Sequence, residues 1–371
     1  MIGVFKNGEL MKILFLVSHL NGGGAERTVS YLSDYISKKN DYEVTILSIS
    51  DEMFYPIGEK VNLVKLGIPS SSKNFIEKIR NIVLRFIRVR KALKKYKPDV
   101  VFCMLARVAK YLPMHRKKYK IICSERSNPK ILTNNKSIRE REYVLSNCDG
   151  IVFQTERAKN CYSRNIVEKG IVIQNAVGNP YVYKINGIKN RRNTICSVGR
   201  LSYEKDYPTL FKAFKIVKEL YPSFELEIYG DGVLKQELVS LATKMQIGES
   251  VKFMGVKPDA IVEIADSMCF VLTSMFEGMP NALMEAMAVG LPCVSTDCQF
   301  GPRELIEDGE NGILVEVGDY KSVSNAIIKF IEDRDFAQKC SKNARGILVT
   351  NSVDKIAEQY LDFINKVVSA N

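Results

Sequence analysis

The sequence predicts an α/β protein with two doubly wound parallel-sheet domains that face a cleft. Strand-like apolar runs alternate with helical patterns along the chain. Most of the runs are largely apolar, which is typical of parallel strands covered by helices on both faces. The alternation is interrupted around residues 178–193, where Gly, Pro, Asn and basic residues cluster as in a linker. With 371 residues, of which 46% are hydrophobic, the chain is long enough for two ordinary domains.

The expected elements form two series on either side of this linker. We expect an N-terminal domain over residues 1–180, a C-terminal domain over 181–352 and a terminal helix over 353–371 that could pack back on the first domain. The strands expected in the first series are 12–18, 43–49, 100–104, 120–124, 150–154 and 171–174, with a helix from about Ala25 to Lys38. Those expected in the second series are 194–199, 225–229, 251–254, 269–272, 292–295 and 312–315.

Charge is distributed unevenly between the two halves. Residues 1–175 contain 32 Lys and Arg against 16 Asp and Glu, whereas residues 176–371 contain 22 against 26. A basic first half favours an anionic partner, such as a nucleic acid, a phosphorylated lipid or a membrane surface. The alternative is that these lysines and arginines are simply solvated.

Cysteine and histidine usage makes two kinds of site improbable. The nine cysteines include no CxxC pair, several lie in apolar runs, and the chain has only two histidines, His19 and His115. We therefore expect neither a zinc site nor a disulfide framework, and a reducing cytoplasm is the natural setting. No apolar run approaches the roughly 18 uncharged residues that a membrane span needs.

The first ten residues are not expected to form a secretory signal. Lys6 and Glu9 interrupt the short apolar stretch that such a signal would need. Met11 stands at the head of a strand-like run and could be the native start.

The most informative segment contains two carboxylates eight positions apart, Glu277 and Glu285. Glu277 lies in a Gly/Pro loop after the apolar run at 269–272, and Glu285 lies inside a helix expected to start near Asn281. A strand, a tight loop and a helix in this order place the helix N-terminus at the carboxyl edge of a sheet, where α/β proteins bind ligands and anions are favoured. Carboxylates beside an anion site suit a ligand that is part phosphate and part polyol, such as a nucleotide sugar.

Two cations follow the first strand of the second series. Arg200 and Lys205 come directly after Cys196-Ser-Val-Gly199 and could grip a diphosphate from two sides. For any single pair of loop cations, solvation without function is the common alternative. The functional interpretation is favoured because Gly230-Asp231-Gly232, Gly255 and the Glu277–Glu285 segment are expected at the same sheet edge.

Several of these segments resemble hallmark motifs of glycosyltransferase family 4, a large retaining family with the GT-B fold. The segments are Ser197-Val-Gly-Arg-Leu-Ser-Tyr-Glu-Lys205, Ile228-Tyr-Gly-Asp-Gly232, Glu277-x7-Glu285 and Gly309-Glu-Asn-Gly-Ile-Leu-Val315. In the first domain, Gly22-Gly-Gly-Ala-Glu26 and Ser124-Glu-Arg-Ser-Asn128 resemble a bacterial subgroup that extends undecaprenyl-diphosphate-linked oligosaccharides in N-glycan, capsule and O-antigen assembly.

The resemblance implies roles for the charged residues of the second domain. Arg200 and Lys205 would bind the donor diphosphate and stabilise it as the leaving group. Glu285 would hold the nucleotide ribose, and Glu277 would contact the transferred sugar near its anomeric carbon. Preorganised cations act where negative charge develops in the transition state, so no metal and no cofactor is expected.

The resemblance also implies backbone contacts with the donor. Amides between Asn281 and Leu283 would meet the phosphates, while Gly23 and Gly24 would let a loop of the first domain approach closely. The same glycines do not fit a dinucleotide fingerprint, because the required third glycine is replaced by Arg27.

Arg126 marks a departure from the family pattern. Many members carry a histidine after the strand that here reads Ile121-Ile-Cys-Ser124, and Arg126 stands at the matching position. An arginine can hydrogen-bond a donor sugar or phosphate but cannot act as a base near neutral pH. We take Arg126 as a candidate catalytic residue; the alternatives are a structural role or a pair with Glu125.

Residues 73–97 form the most basic segment, with ten Lys and Arg and a single acid, Glu77. Apolar residues recur at helical spacing, which predicts an amphipathic helix that could lie in a membrane interface. We expect anionic headgroups or a lipid diphosphate to be bound by Arg85, Arg88, Lys94 and Lys95. The alternative is a helix that covers the sheet and has a solvated cationic face.

The expected activity is that of a retaining transferase at the cytoplasmic face of the membrane, acting in surface polysaccharide or glycan assembly. It would move a hexose or N-acetylhexosamine from a nucleotide sugar, with a uridine nucleotide favoured by the resemblance, to a polyprenyl-diphosphate-linked acceptor. An anionic membrane surface is an expected partner and nucleic acid is not. Two alternatives are a GT-B-type nucleotide-sugar epimerase, disfavoured by the scarcity of histidine, and a non-catalytic membrane-surface adaptor, disfavoured by the intact motifs.

Overall fold

The computed structural model describes residues 9–20, 23–113, 118–126, 135–177, 191–258 and 260–370. The side chains of residues 135 and 136 are outside this description. Some predictions concern residues that lie outside the described ranges: Gly22, His115, Asn128 and most of the expected linker. The chain forms two compact units, with residues 1–176 and 353–371 in unit 1 and residues 177–352 in unit 2.

Unit 1 is built on a seven-stranded sheet of order β3-β2-β1-β4-β5-β6-β7, in which every pairing is parallel. Its strands are β1 (Met11–Val17), β2 (Tyr42–Ser48), β3 (Asn62–Lys65), β4 (Val100–Cys103), β5 (Lys120–Glu125), β6 (Gly150–Phe153) and β7 (Gly170–Val172). Six of them match the predicted strands. The short edge strand β3 was not predicted, because Asn62-Leu-Val-Lys65 contains only two apolar residues.

Helices cover both faces of this sheet. They are α1 (Gly24–Ser37), α2 (Phe75–Tyr96), α3 (Ala106–Ala109), α4 (Asn135–Ser146), α5 (Glu156–Lys159), α6 (Arg164–Val167) and α14 (Val353–Ser369). Alternate residues of β1 enter different cores: Ile13 and Phe15 pack with residues of α1 and α14, whereas Leu14 and Leu16 pack with residues of α2 and α3. Burial on both faces explains why β1 is apolar from Ile13 to Val17.

The terminal helix α14 is an integral part of unit 1. Lys39 Nζ and the Tyr35 hydroxyl donate to Oε1 of Glu358 over 2.6 and 2.5 Å. These hydrogen bonds lower the pKa of Glu358 below its usual range, and the bond from Lys39 has the larger effect. At the other end of the helix, a Cβ on Gly150 would lie 2.8 Å from Cγ2 of Val367, so glycine there allows α14 to approach β6 closely.

Unit 2 is built on a six-stranded parallel sheet of order β10-β9-β8-β11-β12-β13. Its strands are β8 (Arg192–Val198), β9 (Glu225–Tyr229), β10 (Val251–Gly255), β11 (Ser267–Leu272), β12 (Cys293–Thr296) and β13 (Ile313–Val315). Its helices are α7 (Tyr207–Leu220), α8 (Lys235–Lys244), α9 (Ala260–Glu263), α10 (Asn281–Ala288), α11 (Tyr320–Glu332), α12 (Arg334–Ala344) and α13 (Ile347–Thr350). The prediction of two doubly wound parallel-sheet domains is therefore confirmed.

Candidate active site

The strand order of unit 2 places the predicted donor residues at a topological switch point. Strands β8 and β11 are neighbours, and the chain leaves them toward opposite sides of the sheet. The loops that follow them carry Arg200 and Lys205 on one side and Glu277 on the other. The crevice at such a point, outside the carboxyl ends of the strands, is where open α/β sheets bind ligands.

Lys205 and Glu277 meet directly at this edge. Lys205 Nζ donates to Oε1 of Glu277 over 2.5 Å, and the Ser274 hydroxyl donates to the same oxygen over 2.6 Å. Only 16% of the Lys205 side chain and 13% of the Glu277 side chain are exposed. The pair is thus largely shielded from water, where charge–charge interactions are stronger than at an open surface.

Backbone contacts fix the two loops around this pair. The Thr273 hydroxyl lies 3.0 Å from the carbonyl oxygens of both Lys205 and Asp206. Asp206 adopts a left-handed conformation with φ 46°, and its side chain caps α7 by accepting from the amide of Thr209. The position of the Lys205 backbone is therefore set by β11 and α7.

Two glycines allow close approach between neighbouring loops at the same edge. Gly230 has φ 142°, and a Cβ there would lie 2.0 Å from the carbonyl oxygen of Gly199. Gly301 has φ 93°, and a Cβ there would lie 2.6 Å from the carbonyl oxygen of Gly278. Any side chain would push these loops apart, so the spacing of the loops at this edge depends on both glycines.

Helix α10 begins at Asn281, as predicted, and is preceded by Pro280. Proline offers no side-chain acceptor for the amides of the first turn. Those amides and the helix dipole favour an anion. Asn281 and Glu285, one turn apart and both half-buried, share a helix face, whereas the Leu283 side chain is buried in the core.

Among the described residues, Arg200 forms no hydrogen bond or ion pair with Lys205 or Glu277. Its side chain is exposed, and among the described residues its guanidinium has no hydrogen bond or ion pair. The two predicted diphosphate ligands therefore differ: Lys205 is held by Glu277, whereas Arg200 is not held by protein contacts.

Arg126, at the end of β5, is surrounded by polar groups of unit 1. Its Nη2 donates to Oγ1 of Thr28 over 3.1 Å and also to Oδ1 of Asn175, while Nη1 lies 3.4 Å from the Tyr360 hydroxyl. These partners come from α1, the segment after β7, and α14. The guanidinium thus links three parts of unit 1.

The loop before α1 is shaped by Glu26. A Cβ on Gly23 would lie 2.0 Å from Oε2 of Glu26, whose buried carboxylate folds back over the start of the helix. Gly24 begins α1, and its carbonyl oxygen accepts from Oγ1 of Thr28 over 2.9 Å. In this structure Gly23 makes room for a carboxylate of its own chain.

The four predicted cations of α2 have different surroundings. Arg85 donates from Nη1 to the Tyr111 hydroxyl over 3.1 Å and from Nη2 to the Pro69 carbonyl over 3.0 Å. Arg88 donates to the Leu66 carbonyl. Lys94 and Lys95, in the last turn, are exposed. Two of the four cations, Arg85 and Arg88, thus contact other parts of unit 1.

Sequence reasoning did not single out Thr273, Ser274 or Cys298 as site residues. The signal available was the pair of hydroxyl residues directly after the apolar run of β11. Burial raises the pKa of the Cys298 thiol to about 11, and the charge of nearby Glu277 adds to this shift. The thiol is therefore neutral at physiological pH.

Two features are absent from the described part of the chain. No three or more His, Cys, Asp or Glu side chains in the described part of the chain are grouped so that they could hold a metal ion. Nor does any helix in the described ranges combine the length and apolar character that a membrane crossing requires.

Comparisons with known proteins cover almost the whole chain. The family model "Glycosyltransferase Family 4" matches residues 22–178, and the model "Glycosyl transferases group 1" matches residues 182–347. The fold is also that of solved glycosyltransferases. HepE from Anabaena, crystallised with UDP and glucose, has a TM-score of 0.78 at 19% identity, covering 95% of this chain and 98% of that one.

Two curated relatives come from Campylobacter jejuni. One, 27% identical over 97% of this chain and all of its own length, is a GalNAc-alpha-(1->4)-GalNAc-alpha-(1->3)-diNAcBac-PP-undecaprenol alpha-1,4-N-acetyl-D-galactosaminyltransferase. The other, 28% identical over 90% of this chain and 93% of its own, is an N-acetylgalactosamine-N,N'-diacetylbacillosaminyl-diphospho-undecaprenol 4-alpha-N-acetylgalactosaminyltransferase. With the two family models, these full-length similarities show that the chain is a glycosyltransferase, made of a family 4 domain and a group 1 domain.

Proposed function

We propose that this glycosyltransferase moves a hexose or N-acetylhexosamine from a nucleotide sugar to a polyprenyl-diphosphate-linked glycan, with retention of configuration. The observation that carries the proposal is the shielded Lys205–Glu277 pair at the switch point of unit 2, close in sequence to the uncapped start of α10. A cation, a carboxylate and helix amides that lack a side-chain cap, all at one sheet edge, suit a diphosphate joined to a sugar.

In the proposed reaction, Lys205 and Arg200 bind the donor diphosphate and the first-turn amides of α10 meet its oxygens. Glu285 holds the ribose hydroxyls, and Glu277 contacts the transferred sugar. A uridine nucleotide is the favoured donor, and no metal takes part. Within unit 1, Arg126 and the loop of Gly23 and Gly24 are proposed to contact substrate.

The proposed transfer with retention can be written with the groups of this site. The anomeric carbon–oxygen bond to the diphosphate breaks, and the acceptor hydroxyl bonds to the same face of that carbon. The acceptor proton passes to an oxygen of the departing diphosphate, so no side-chain base is required. Negative charge grows on the diphosphate as the bond breaks, and Lys205, Arg200 and the amides are proposed to stabilise it.

The acceptor and the cellular location are inferred from relatives and from unit 1. The Campylobacter relatives are named for undecaprenyl-diphosphate-linked substrates. In α2, large apolar side chains are exposed beside cations; Phe75 is 74% exposed and Ile76 is 79% exposed. We propose that this helix rests on the anionic inner face of the plasma membrane, so that the enzyme is a peripheral protein on the cytoplasmic side.

The function can be tested with a donor panel and a defined acceptor. Thermal shift with UDP- and GDP-sugars would select the donor. Turnover would then be measured on a synthetic prenyl-diphosphate glycan, and the anomeric configuration of the product assigned by NMR. An inverted product would contradict retention. Epimerisation of the donor without acceptor would favour the epimerase, and donor binding or turnover absent from the whole panel would favour the adaptor.

A further inference from the structure

His19 and Glu26 form a carboxylate–imidazole pair at one edge of the unit 1 sheet. His19 follows β1, and Glu26 lies in the first turn of α1. Nδ1 of His19 lies 3.4 Å from Oε1 of Glu26, and only 8% of the Glu26 side chain is exposed. Because water screens this carboxylate little, its charge acts strongly on the imidazole.

The two ring nitrogens of His19 have different surroundings. Nδ1 has no exposed surface, whereas 23% of the side chain as a whole is exposed. Among the described residues, Glu26 is the single polar partner of the ring, and Nε2 is not one of the buried unpaired atoms. Nε2 is therefore open to solvent and to a ligand.

The position of Glu26 determines which nitrogen carries the hydrogen. A carboxylate can only accept hydrogen bonds, and a neutral imidazole has one nitrogen that donates and one that accepts. Beside Glu26, the hydrogen is favoured on Nδ1, which leaves the lone pair of Nε2 exposed. Carboxylates orient histidines in the same way in catalytic and metal sites.

His19 lines a cavity of about 260 Å³ at the carboxyl ends of β1, β2 and β4. Its floor is apolar and buried, with Ile49, Ile68 and Val108 each no more than 3% exposed. Open α/β sheets bind ligands at this edge. The cavity is smaller than the roughly 300–1,000 Å³ typical of sites that enclose a drug-sized ligand, so it suits a single sugar ring.

The other polar groups of the lining favour a hydroxyl as the partner of Nε2. Arg85, Arg107 and Lys110 also line the cavity, and their side chains can only donate hydrogen bonds. An anion would use these donors and leave the lone pair of Nε2 without a partner. A sugar hydroxyl both accepts and donates, so it can receive a hydrogen bond from a cation and give its own hydrogen to Nε2.

We propose that Nε2 of His19 accepts a hydrogen bond from a hydroxyl of the acceptor glycan, other than the hydroxyl that reacts, and so helps to select the acceptor sugar. Glu26 is a positioning residue that keeps the hydrogen on Nδ1. This inference rests on the proposed function for the identity of the acceptor, and it adds a specificity-determining residue in unit 1.

Protonation of His19 should break this contact, because an imidazolium carries hydrogen on both nitrogens and cannot accept. The KM for the acceptor should therefore rise about tenfold from neutral to mildly acidic pH, the loss expected for one hydrogen bond. The charged or titratable groups that face His19 are Glu26 from α1, Arg85 from α2, Arg107 from α3, and Lys110 and Tyr111 after it.

The pair can be tested without turnover by NMR of the full chain labelled in its imidazoles. The chain has two histidines, so His19→Ala assigns the signals. At neutral pH the His19 signals should be those of the tautomer with hydrogen on Nδ1. A synthetic prenyl-diphosphate glycan, added without donor, should shift them. The other tautomer, or signals that the glycan leaves unmoved, would overturn the inference.

Kinetics on monodeoxygenated acceptors identify the hydroxyl. For wild-type protein, loss of one non-reacting hydroxyl should raise KM about tenfold, whereas His19→Ala should show the higher KM with both acceptors. Glu26→Gln should raise KM in wild-type protein but not in His19→Ala. His19→Gln, whose amide oxygen can accept, should restore a low KM that no longer depends on pH. Unchanged UDP binding and melting temperature would verify that each variant is folded.

The second histidine provides the matched control. His115, which lies outside the described residues, is the one other imidazole of the chain, and His115→Gln should keep the pH dependence of the acceptor KM. If His115→Gln removes that dependence and His19→Ala keeps it, the assignment to His19 is wrong.

Failure of this inference is distinguishable from failure of the proposed function. Turnover on the glycan with a wild-type KM in His19→Ala would overturn the role of His19 and leave the proposed function intact. A glycan that shifts the His19 signals but receives no sugar from any donor would contradict the proposed function, while the hydrogen bond to His19 would stand.

Discussion

Lys205 and Glu277 are 72 positions apart in the sequence, yet their side chains form a 2.5 Å hydrogen-bonded ion pair with little solvent exposure. Each charge compensates the other while the site is empty. In the proposed reaction, the donor diphosphate would be a second anionic partner for Lys205, and its negative charge would increase as the sugar leaves. We expect Lys205 to bind the diphosphate more strongly in the transition state than in the ground state, which is the condition for an effect on turnover.

Removal of either diphosphate ligand should disable the enzyme. Arg200→Ala and Lys205→Ala should each lower kcat on the order of 10²-fold, by analogy with the loss of one preorganised donor. Only Lys205→Ala leaves the shielded Glu277 carboxylate without its cation, so it alone should reduce the unfolding free energy, by about 1–3 kcal/mol. Turnover assays and thermal unfolding check both points. A near-normal kcat in the double variant would contradict the assignment of Arg200 and Lys205 to the donor site.

The stability effect has its own control. Adding Glu277→Gln to Lys205→Ala neutralises the stranded carboxylate, so the melting temperature should recover while activity stays low. If the melting temperature does not recover, the loss of stability in Lys205→Ala has a cause other than the broken ion pair.

The two carboxylates should separate into two roles. Glu285→Gln should weaken binding of UDP or GDP, because Glu285 is proposed to hold the ribose. Glu277→Gln should lower turnover while nucleotide affinity stays near that of wild type. Isothermal calorimetry on both variants, with kcat and KM, makes the comparison. Equal losses of nucleotide affinity would mean that the division of roles is wrong.

Gly23 lies against the Glu26 carboxylate, and the coupling between these two residues can be measured. Gly23→Ala should lower the melting temperature, because its Cβ would lie 2.0 Å from Oε2 of the buried Glu26 carboxylate. In a Glu26→Ala background, Gly23→Ala should lower the melting temperature much less. A double-mutant cycle of unfolding free energies gives the coupling. Simple additivity of the two substitutions would contradict a steric cause.

Membrane binding should depend on both the apolar and the cationic residues of α2. Phe75→Ser with Ile76→Ser, and separately Lys94→Gln with Lys95→Gln, should reduce binding to phosphatidylglycerol liposomes. Each lysine is expected to contribute about 1 kcal/mol, or roughly fivefold, at a charged surface. Val349→Ser is the control, because Val349 is an apolar residue outside α2 and is 73% exposed. Wild-type liposome binding by both double variants would leave α2 as only a cover for the sheet.

Activity should persist in excess EDTA. Lys205, Arg200 and the amides of α10 are proposed to supply the positive charge that a metal would otherwise provide. Initial rates with and without chelator test this directly. Loss of turnover that Mg²⁺ or Mn²⁺ restores would show that the metal-free mechanism is wrong.

The sequence by itself determined the elements of the fold that have a local cause. Largely apolar runs predicted twelve of the thirteen strands in the described part of the chain, and the missed strand β3 is a four-residue edge strand of mixed polarity. The Gly/Pro loop after β11 predicted the start of α10 at Asn281. Side-chain periodicity and turn chemistry act over a few residues, so they can be read directly from the chain.

Only the tertiary structure decided which of the distant residues meet. Strand order brings β8 beside β11 and thereby pairs Lys205 with Glu277. The same kind of placement gathers His19, Arg85 and Arg107 into one cavity and turns Arg85 away from the solvated face of α2. Such contacts depend on sheet order and helix docking, which are set by the packing of the whole unit rather than by any local pattern.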